Sequence, residues 1–247
     1  MVKKVLGSGG IISTVLLAAL MAGLAVTRHQ VIALLAVAMV EFVVWWRRPD
    51  SNLQLAFDTY VSWLVSGTTV VMVALSPQFI TQVCLIVAYV AIRMAVHLGL
   101  ADRYPGILAL FMQFASLTAI FSAAQVWRWS AVAVMALAWG CSWLVAYHFL
   151  DSTDASQRSL LAGVWSLVVA ELAWIMSWWM IAYLSPGAYI IIPQVALLVT
   201  GLAYILGGIY RLHRQGQLSR NRLTEYLGVA VVLLVIILLG TRWNGSS

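Results

Sequence analysis

The chain has 247 residues, of which 63% are hydrophobic and 9% are charged, and its formal net charge is +6. Soluble domains carry about 25% charged and roughly 45–50% apolar residues, so this composition excludes a soluble enzyme, a nucleic-acid-binding domain, a disordered tail and a disulfide-rich secreted module. We therefore expect residues 1–247 to form a single integral membrane domain with no soluble domain and no nucleic-acid partner.

Continuous apolar runs along the chain predict transmembrane helices, because a helix needs about 20 apolar residues to cross a hydrocarbon core of about 30 Å. Strands are a poor interpretation, since the apolar residues do not alternate with polar ones. The predicted fold class is all-α, a polytopic transmembrane helix bundle of about nine spans, of which the third is the weakest because hydroxyl residues dilute it. The predicted spans are 10–27, 30–46, 57–75, 78–97, 106–124, 129–150, 159–184, 187–210 and 226–241.

The first predicted span has a second interpretation. Lys3 and Lys4 precede its apolar run, and the small residues Gly23-Leu24-Ala25 resemble the cleavage site of a signal peptide. The next span begins only about five residues later, which leaves little room for a peptidase. We therefore expect this segment to be retained as a helix.

The basic residues predict the orientation of the chain, because short cytoplasmic loops carry an excess of Lys and Arg. With nine spans, eleven of the 14 basic residues fall on the side of the N-terminus. The N-terminus is therefore expected in the cytoplasm and the C-terminus outside, in a cell membrane that we take to be a bacterial inner membrane. These eleven residues are Lys3, Lys4, Arg47, Arg48, Arg93, Arg103, Arg158, Arg211, Arg214, Arg220 and Arg222.

The longest polar stretch is the predicted cytoplasmic loop from Arg211 to Glu225. Its basic residues could hold anionic lipid headgroups, at about 1 kcal/mol each, so membrane lipids are the partners we expect. A topology signal with no other role is the simpler interpretation of the same residues.

Four polar or aromatic residues inside spans are candidates for function: Glu171, Trp174, Gln113 and Gln194. Glu171 lies about twelve residues into the seventh span, near the bilayer midplane, where a charge costs about 2.5 kcal/mol or more. We expect Glu171 to face the bundle interior, with Trp174 on the same helical face. It could carry protons or contact a ligand, but we favour a protonated side chain hydrogen-bonded to Gln113.

A proline interrupts the eighth predicted span, where Pro193 precedes Gln194. Broken helices at membrane depth often mark the binding sites of transporters. A proline in the first turns of a helix is also tolerated without any function, and this is the interpretation we favour.

A second polar cluster is predicted at the cytoplasmic face. Glu41 and Arg93 lie at similar depths in spans that run in the same direction, so they either form an ion pair or extend separately to the interface. Asp58, Arg47 and Arg48 could join them.

No cofactor or metal is expected from the sequence. It contains no His-Glu-x-x-His helix, no Gly-x-Ser-x-Gly elbow and no phosphate-binding Lys-Ser/Thr loop. Cys84 and Cys141 lie in apolar runs without the spacing of a metal site, and lysine occurs only at Lys3 and Lys4, which excludes a retinal Schiff base in the last span.

Two classes of function are compatible with these residues. We favour a non-enzymatic membrane component, either a small transporter or an assembly scaffold; the alternative is a membrane-embedded enzyme acting on lipid at the cytoplasmic face. A polar cavity reaching Glu171 would support transport, and a cytoplasmic cleft lined by the Glu41–Asp58–Arg93 cluster would support lipid chemistry. A bundle sealed at both places would leave the scaffold.

The C-terminal third of the chain contains scattered Glu, Trp, Tyr, Gly and Arg residues that together form a pattern. They are Ala170-Glu171-Leu172-Ala173-Trp174, Tyr204, Gly207-Gly208, Leu223-Thr224-Glu225-Tyr226 and Thr241-Arg242-Trp243. Over residues 160–243 this pattern resembles a family of uncharacterised bacterial multi-spanning membrane proteins, a domain of unknown function. The resemblance implies no activity, only that Glu171, Trp174, Glu225, Tyr226 and Trp243 are signature positions.

Overall fold

The computed structural model describes part of the chain, namely residues 14–20, 23, 39, 53–76, 78–97, 105–150, 155–178, 182–184, 191–217 and 219–240. The first predicted span is therefore described mainly at residues 14–20, which are helical. The second predicted span, apart from residue 39, lies outside the described residues.

Seven helices with defined bounds correspond to the third to ninth predicted spans, and a short strand pair lies between two of them. In chain order the elements are α1 (Leu53–Leu75), α2 (Phe79–His97), α3 (Pro105–Trp127), α4 (Ala131–Phe149), α5 (Ala155–Trp178), β1 (Ala182–Leu184), β2 (Ile191–Pro193), α6 (Gln194–Arg214) and α7 (Arg220–Gly240). The described chain is thus a helix bundle, as predicted. Four of its helices, α2, α3, α5 and α6, are long and apolar enough to cross a membrane, which is compatible with an integral membrane protein.

Helix α1 is continuous although hydroxyl residues dilute its sequence. Thr68 and Thr69 donate their hydroxyl hydrogens to the carbonyl oxygens of Leu64 and Val65, both at 2.7 Å. Each bond reaches the carbonyl four residues earlier, so the helix satisfies these polar groups by itself. Hydroxyl residues of this kind are therefore compatible with an apolar surrounding.

The strand pair corrects the sequence prediction at the seventh and eighth spans. The sequence predicts helices over 159–184 and 187–210, but α5 ends at Trp178 and α6 begins at Gln194. The residues between them include an antiparallel pair in which Tyr183 lies opposite Ile192. Short apolar runs rich in aromatic and β-branched residues cannot be assigned to helix or strand by periodicity alone. Because open sheet edges do not occur in lipid, this pair is expected at the membrane boundary.

Helix α3 occupies the centre of the described bundle, and more than half of its apolar stretch from Gly106 to Trp127 is buried. It packs against α1, α4, α6 and β2, while α5 packs on α4 and α7 packs on α6. Leu117 and Phe121 of α3 form one apolar core with Val134, Val169 and Val199. These contacts place one end of α3 beside the start of α5 and the end of α6, where a cavity lined by polar and apolar residues lies.

The end of α6 decides where two arginines lie. Gly216 adopts φ 64°, a left-handed conformation that glycine accepts without a steric penalty, and its N–H donates to the carbonyl of His213 at 3.1 Å. This turn ends the helix, whose last residue is Arg214. Arg211 and Arg214 are therefore helical residues, and not part of the loop that the sequence predicts from Arg211 to Glu225.

Candidate functional site

A cavity of about 560 Å³ lies where α3 and α5 begin, α4 and α6 end, and α7 begins. This end of the bundle is the predicted cytoplasmic side. The wall is largely apolar, with residues such as Leu110, Val145, Leu161 and Leu206. We call this space the arginine cavity. Its polar and aromatic lining residues are Gln113, Trp165, Tyr204, Tyr210, Arg211, Arg214, Gln215 and Tyr226.

Arg211 is held against the first turn of α3. Its guanidinium lies directly over Gly106, so that a Cβ atom at residue 106 would come within 2.7 Å of the Arg211 Nη2 atom. A side chain at residue 106 would therefore require the guanidinium to shift. The N-terminal turn of a helix carries unsatisfied N–H groups and a partial positive charge. The guanidinium and the start of α3 therefore converge on one place, and both favour an anion there.

Two more groups complete the polar end of the arginine cavity. Arg214 follows Arg211 by three residues, so both side chains lie on one face of α6. The hydroxyl oxygen of Tyr210 is buried and has no hydrogen-bond partner among the described residues. A buried hydroxyl without a partner carries a free-energy cost of about 1–3 kcal/mol, which a ligand atom or a water in the cavity would remove.

Gln113 forms the polar floor of the cavity and is 1% exposed. Its amide nitrogen donates to the hydroxyl oxygen of Ser142 on α4 at 2.8 Å, and its amide oxygen has no partner among the described residues. Gln113 therefore lies inside the bundle. The described hydrogen bond of its side chain is to Ser142, and not to Glu171, the partner that the sequence suggests as an example.

Glu171 does not face the bundle interior, which corrects the sequence prediction. Its side chain is exposed on α5, whereas Val169 and Ala173 occupy the buried face of that helix. Because α5 ends at Trp178, Glu171 lies about 10 Å from the helix end at 1.5 Å per residue, and its depth in the bilayer stays a prediction. Trp174 is also exposed, and its ring lies 6.0 Å from that of Trp178.

The predicted cytoplasmic cluster is described only at Arg93. This residue is 7% exposed on α2, and its guanidinium lies 5.9 Å from the ring centre of Tyr89, a distance at which a cation is attracted to an aromatic face. Glu41, Arg47 and Arg48 lie outside the described residues. Asp58 belongs to α1, but its side chain is not described. The ion pair of Arg93 with Glu41 thus stays a prediction.

Gln194 is the first residue of α6 and is buried. Pro193 precedes the helix as its N-cap residue, with φ −69° and ψ 137°. The proline therefore precedes α6 and does not break it, whereas the sequence places it in the first turns of a helix that begins at residue 187. Gln194 lies at the opposite end of α6 from the arginine cavity.

The sequence prediction misses the face of α6 that lines the cavity. Tyr204, Gly208, Arg211 and Gln215 recur at intervals of four, three and four residues, which places them on one side of a helix. This spacing is visible in the sequence. The sequence prediction ends the helix at residue 210 and assigns Arg211 to a loop, so Arg211 and Gln215 are not recognised as members of this face.

Within the described residues, no group of three or more His, Cys, Asp or Glu side chains could hold a metal ion. Comparison with protein-family models, curated proteins and solved structures finds no match for this chain. The resemblance of residues 160–243 to an uncharacterised bacterial family therefore stays a prediction.

Proposed function

We propose that this protein is a non-enzymatic integral membrane protein that binds an amphiphile with an anionic, phosphate-like headgroup in the arginine cavity. The observation that carries the proposal is the position of the Arg211 guanidinium over Gly106, at the start of α3 and at the mouth of an apolar-walled cavity. Arginine binds phosphate through charge-assisted hydrogen bonds, and helix starts bind anions through their free N–H groups.

The mixed lining of the cavity supports an amphiphile as the ligand. Guanidinium and phenol groups line it together with aliphatic side chains such as Ile107, Leu150 and Leu161. Ligand sites commonly combine an apolar wall with a few polar groups that orient the ligand. Anionic membrane lipids, the partners expected from the sequence, have this combination of chemistry.

Binding is favoured over catalysis because the described polar lining consists of guanidinium, phenol, indole and amide groups, which supply hydrogen-bond donors to an anion. The alternative is an enzyme that acts on lipid in the same cavity. Chemical change in lipid incubated with the purified protein would support the enzyme.

The first test removes both arginines. In the Arg211→Ala/Arg214→Ala variant, we expect the affinity for phosphatidic acid to fall about thirtyfold, since two basic residues near a membrane surface contribute about 1 kcal/mol each. Native mass spectrometry in detergent, with phosphatidic acid and phosphatidylcholine in competition, measures the loss. The matched control is Arg220→Ala, which removes an exposed arginine outside the cavity and should change binding less than about twofold. Equal losses in both variants would contradict the proposal.

We also propose nine spans, with the N-terminus in the cytoplasm and the C-terminus outside, in a bacterial inner membrane. The support is the excess of basic residues on one side. Single cysteines at Ser130 and Ser219, in a background with Cys84 and Cys141 replaced by serine, test the orientation. A membrane-impermeant maleimide should label position 130 in intact cells and position 219 only after lysis. Labelling of both positions from the same side would show that the topology is wrong.

A further inference from the structure

A second space adjoins the arginine cavity on its membrane-facing side. This crevice has a volume of about 610 Å³ and lies between α3, α6 and α7. Leu110 and Tyr204 line both spaces, so the two adjoin at these residues. We call the second space the chain crevice. Its remaining wall has Val229, Val232 and Leu233 of α7 as its large apolar side chains and Thr200 and Glu225 as its polar ones.

The packing of α7 on α6 explains why the crevice stays open. Gly201 of α6 receives the side chain of Leu233, and Gly208 receives the ring of Tyr226, so closely that a Cβ atom at either glycine would overlap them. The two contacts are seven residues apart on each helix, or about 10 Å. They attach α7 to α6 in antiparallel register along one edge, and the side of α7 that turns towards Leu110 of α3 remains open.

Tyr204 stands at the boundary between the two spaces. Its ring packs against Tyr226 with 5.4 Å between ring centres and a tilt of 50°. The pair separates the end that holds Arg211 and Arg214 from the apolar wall formed by α7. A molecule occupying both spaces must therefore pass Tyr204 with a narrow, apolar segment.

Because the two spaces adjoin at Leu110 and Tyr204, we infer that the ligand is a membrane lipid whose headgroup lies in the arginine cavity and whose hydrocarbon chain passes Tyr204 into the chain crevice, with lateral access from the bilayer between α3 and α7. This inference rests on the proposed function, and it adds the class of ligand and its route. A free phosphate would use the arginines alone. A lipid bound to the general surface of the bundle would use neither space.

The test follows the chain with a photoreactive lipid in nanodiscs. Phosphatidic acid with a diazirine in one acyl chain should label peptides that contain residues 200–204 and 228–233, while the matching phosphatidylcholine should label them far less. The Arg211→Ala/Arg214→Ala variant should lower the crevice labelling by phosphatidic acid by at least about fivefold.

Val229→Trp provides the decisive variant, because an indole at this position fills the crevice and leaves the arginines in place. We expect it to abolish labelling at residues 200–204 while native mass spectrometry still detects bound phosphatidic acid. The matched control is Val231→Trp, since Val231 lies on the same helix, is 61% exposed and does not line the crevice. It should leave the labelling unchanged.

The other outcomes separate the two proposals. Arginine-dependent binding with labels spread over the whole bundle, or with labelling that survives Val229→Trp, would overturn the chain crevice and leave the proposed function intact. Equal crevice labelling by phosphatidic acid and phosphatidylcholine would identify ordinary surrounding lipid and also overturn the inference. If inorganic phosphate displaces phosphatidic acid completely, the ligand is a free anion and the inference is wrong. Absence of arginine-dependent binding would overturn the proposed function itself.

Discussion

Gln113→Ala is expected to lower the free energy of unfolding by about 2–4 kcal/mol, the larger of the two stability effects that we predict. Gln113 is fully buried in α3 and donates a hydrogen bond to Ser142 of α4. Alanine leaves an unfilled volume at the floor of the arginine cavity and removes the polar link between these two helices. Thermal unfolding in detergent, followed by circular dichroism, measures the loss.

Two further variants give this prediction its controls. Gln125→Ala changes the same residue type on the same helix at an exposed position, and it should shift stability by less than about 0.5 kcal/mol. Gln113→Leu restores most of the volume without the hydrogen bond, so its stability should lie between those of the wild type and Gln113→Ala. A Gln113→Ala variant as stable as Gln125→Ala would show that the interior position of Gln113 is wrong.

Gly208→Val is expected to loosen α7 and to cost about 1–3 kcal/mol, the usual range for forcing extra atoms into a packed site. A side chain at residue 208 would overlap the ring of Tyr226, so the ring or the helix that carries it would have to shift. The neighbouring Gly207 has open space where its Cβ would lie. Gly207→Val is therefore the matched control and should change stability by less than about 0.5 kcal/mol.

A double variant isolates the contact itself. Adding Tyr226→Ala to Gly208→Val removes the overlapping ring, so the two changes together should cost less than the sum of their separate effects. The separation of α6 and α7, measured by spin-label distances between exposed positions on each helix, should increase in Gly208→Val and return towards the wild-type value in the double variant. Strictly additive effects would contradict the antiparallel register of α6 and α7.

Several particular features of the fold are predictable from the residues alone. The existence and order of α1 to α7 follow from apolar runs of sufficient length, since a membrane imposes that length on any helix that crosses it. Gln113 also stands out as a polar residue within an apolar run. In both cases one local rule, on length or polarity, decides the outcome.

Other features could not be predicted, and Glu171 illustrates why. In a soluble helix the apolar face is the buried face, but α5 is apolar on nearly every side, so its sequence cannot show which side meets lipid and which meets α4. Glu171, the only acidic residue of α5, therefore suggests that its side of the helix faces the bundle interior, whereas the side that packs on α4 is a different one. The end of α5 at Trp178 is also invisible in the sequence, because the strand residues beyond it are equally apolar.

The sequence by itself determined that this chain is built from long apolar helices, because composition and run length depend on no contact between distant residues. Only the tertiary structure decided which polar groups meet. Arg211 of α6 lies over Gly106 of α3, although these helices are far apart in the chain. Tyr204 of α6 packs on Tyr226 of the next helix, α7. In a membrane such contacts depend on close packing at small residues and on a few polar groups, and neither leaves a strong periodic signal in a sequence that is apolar throughout.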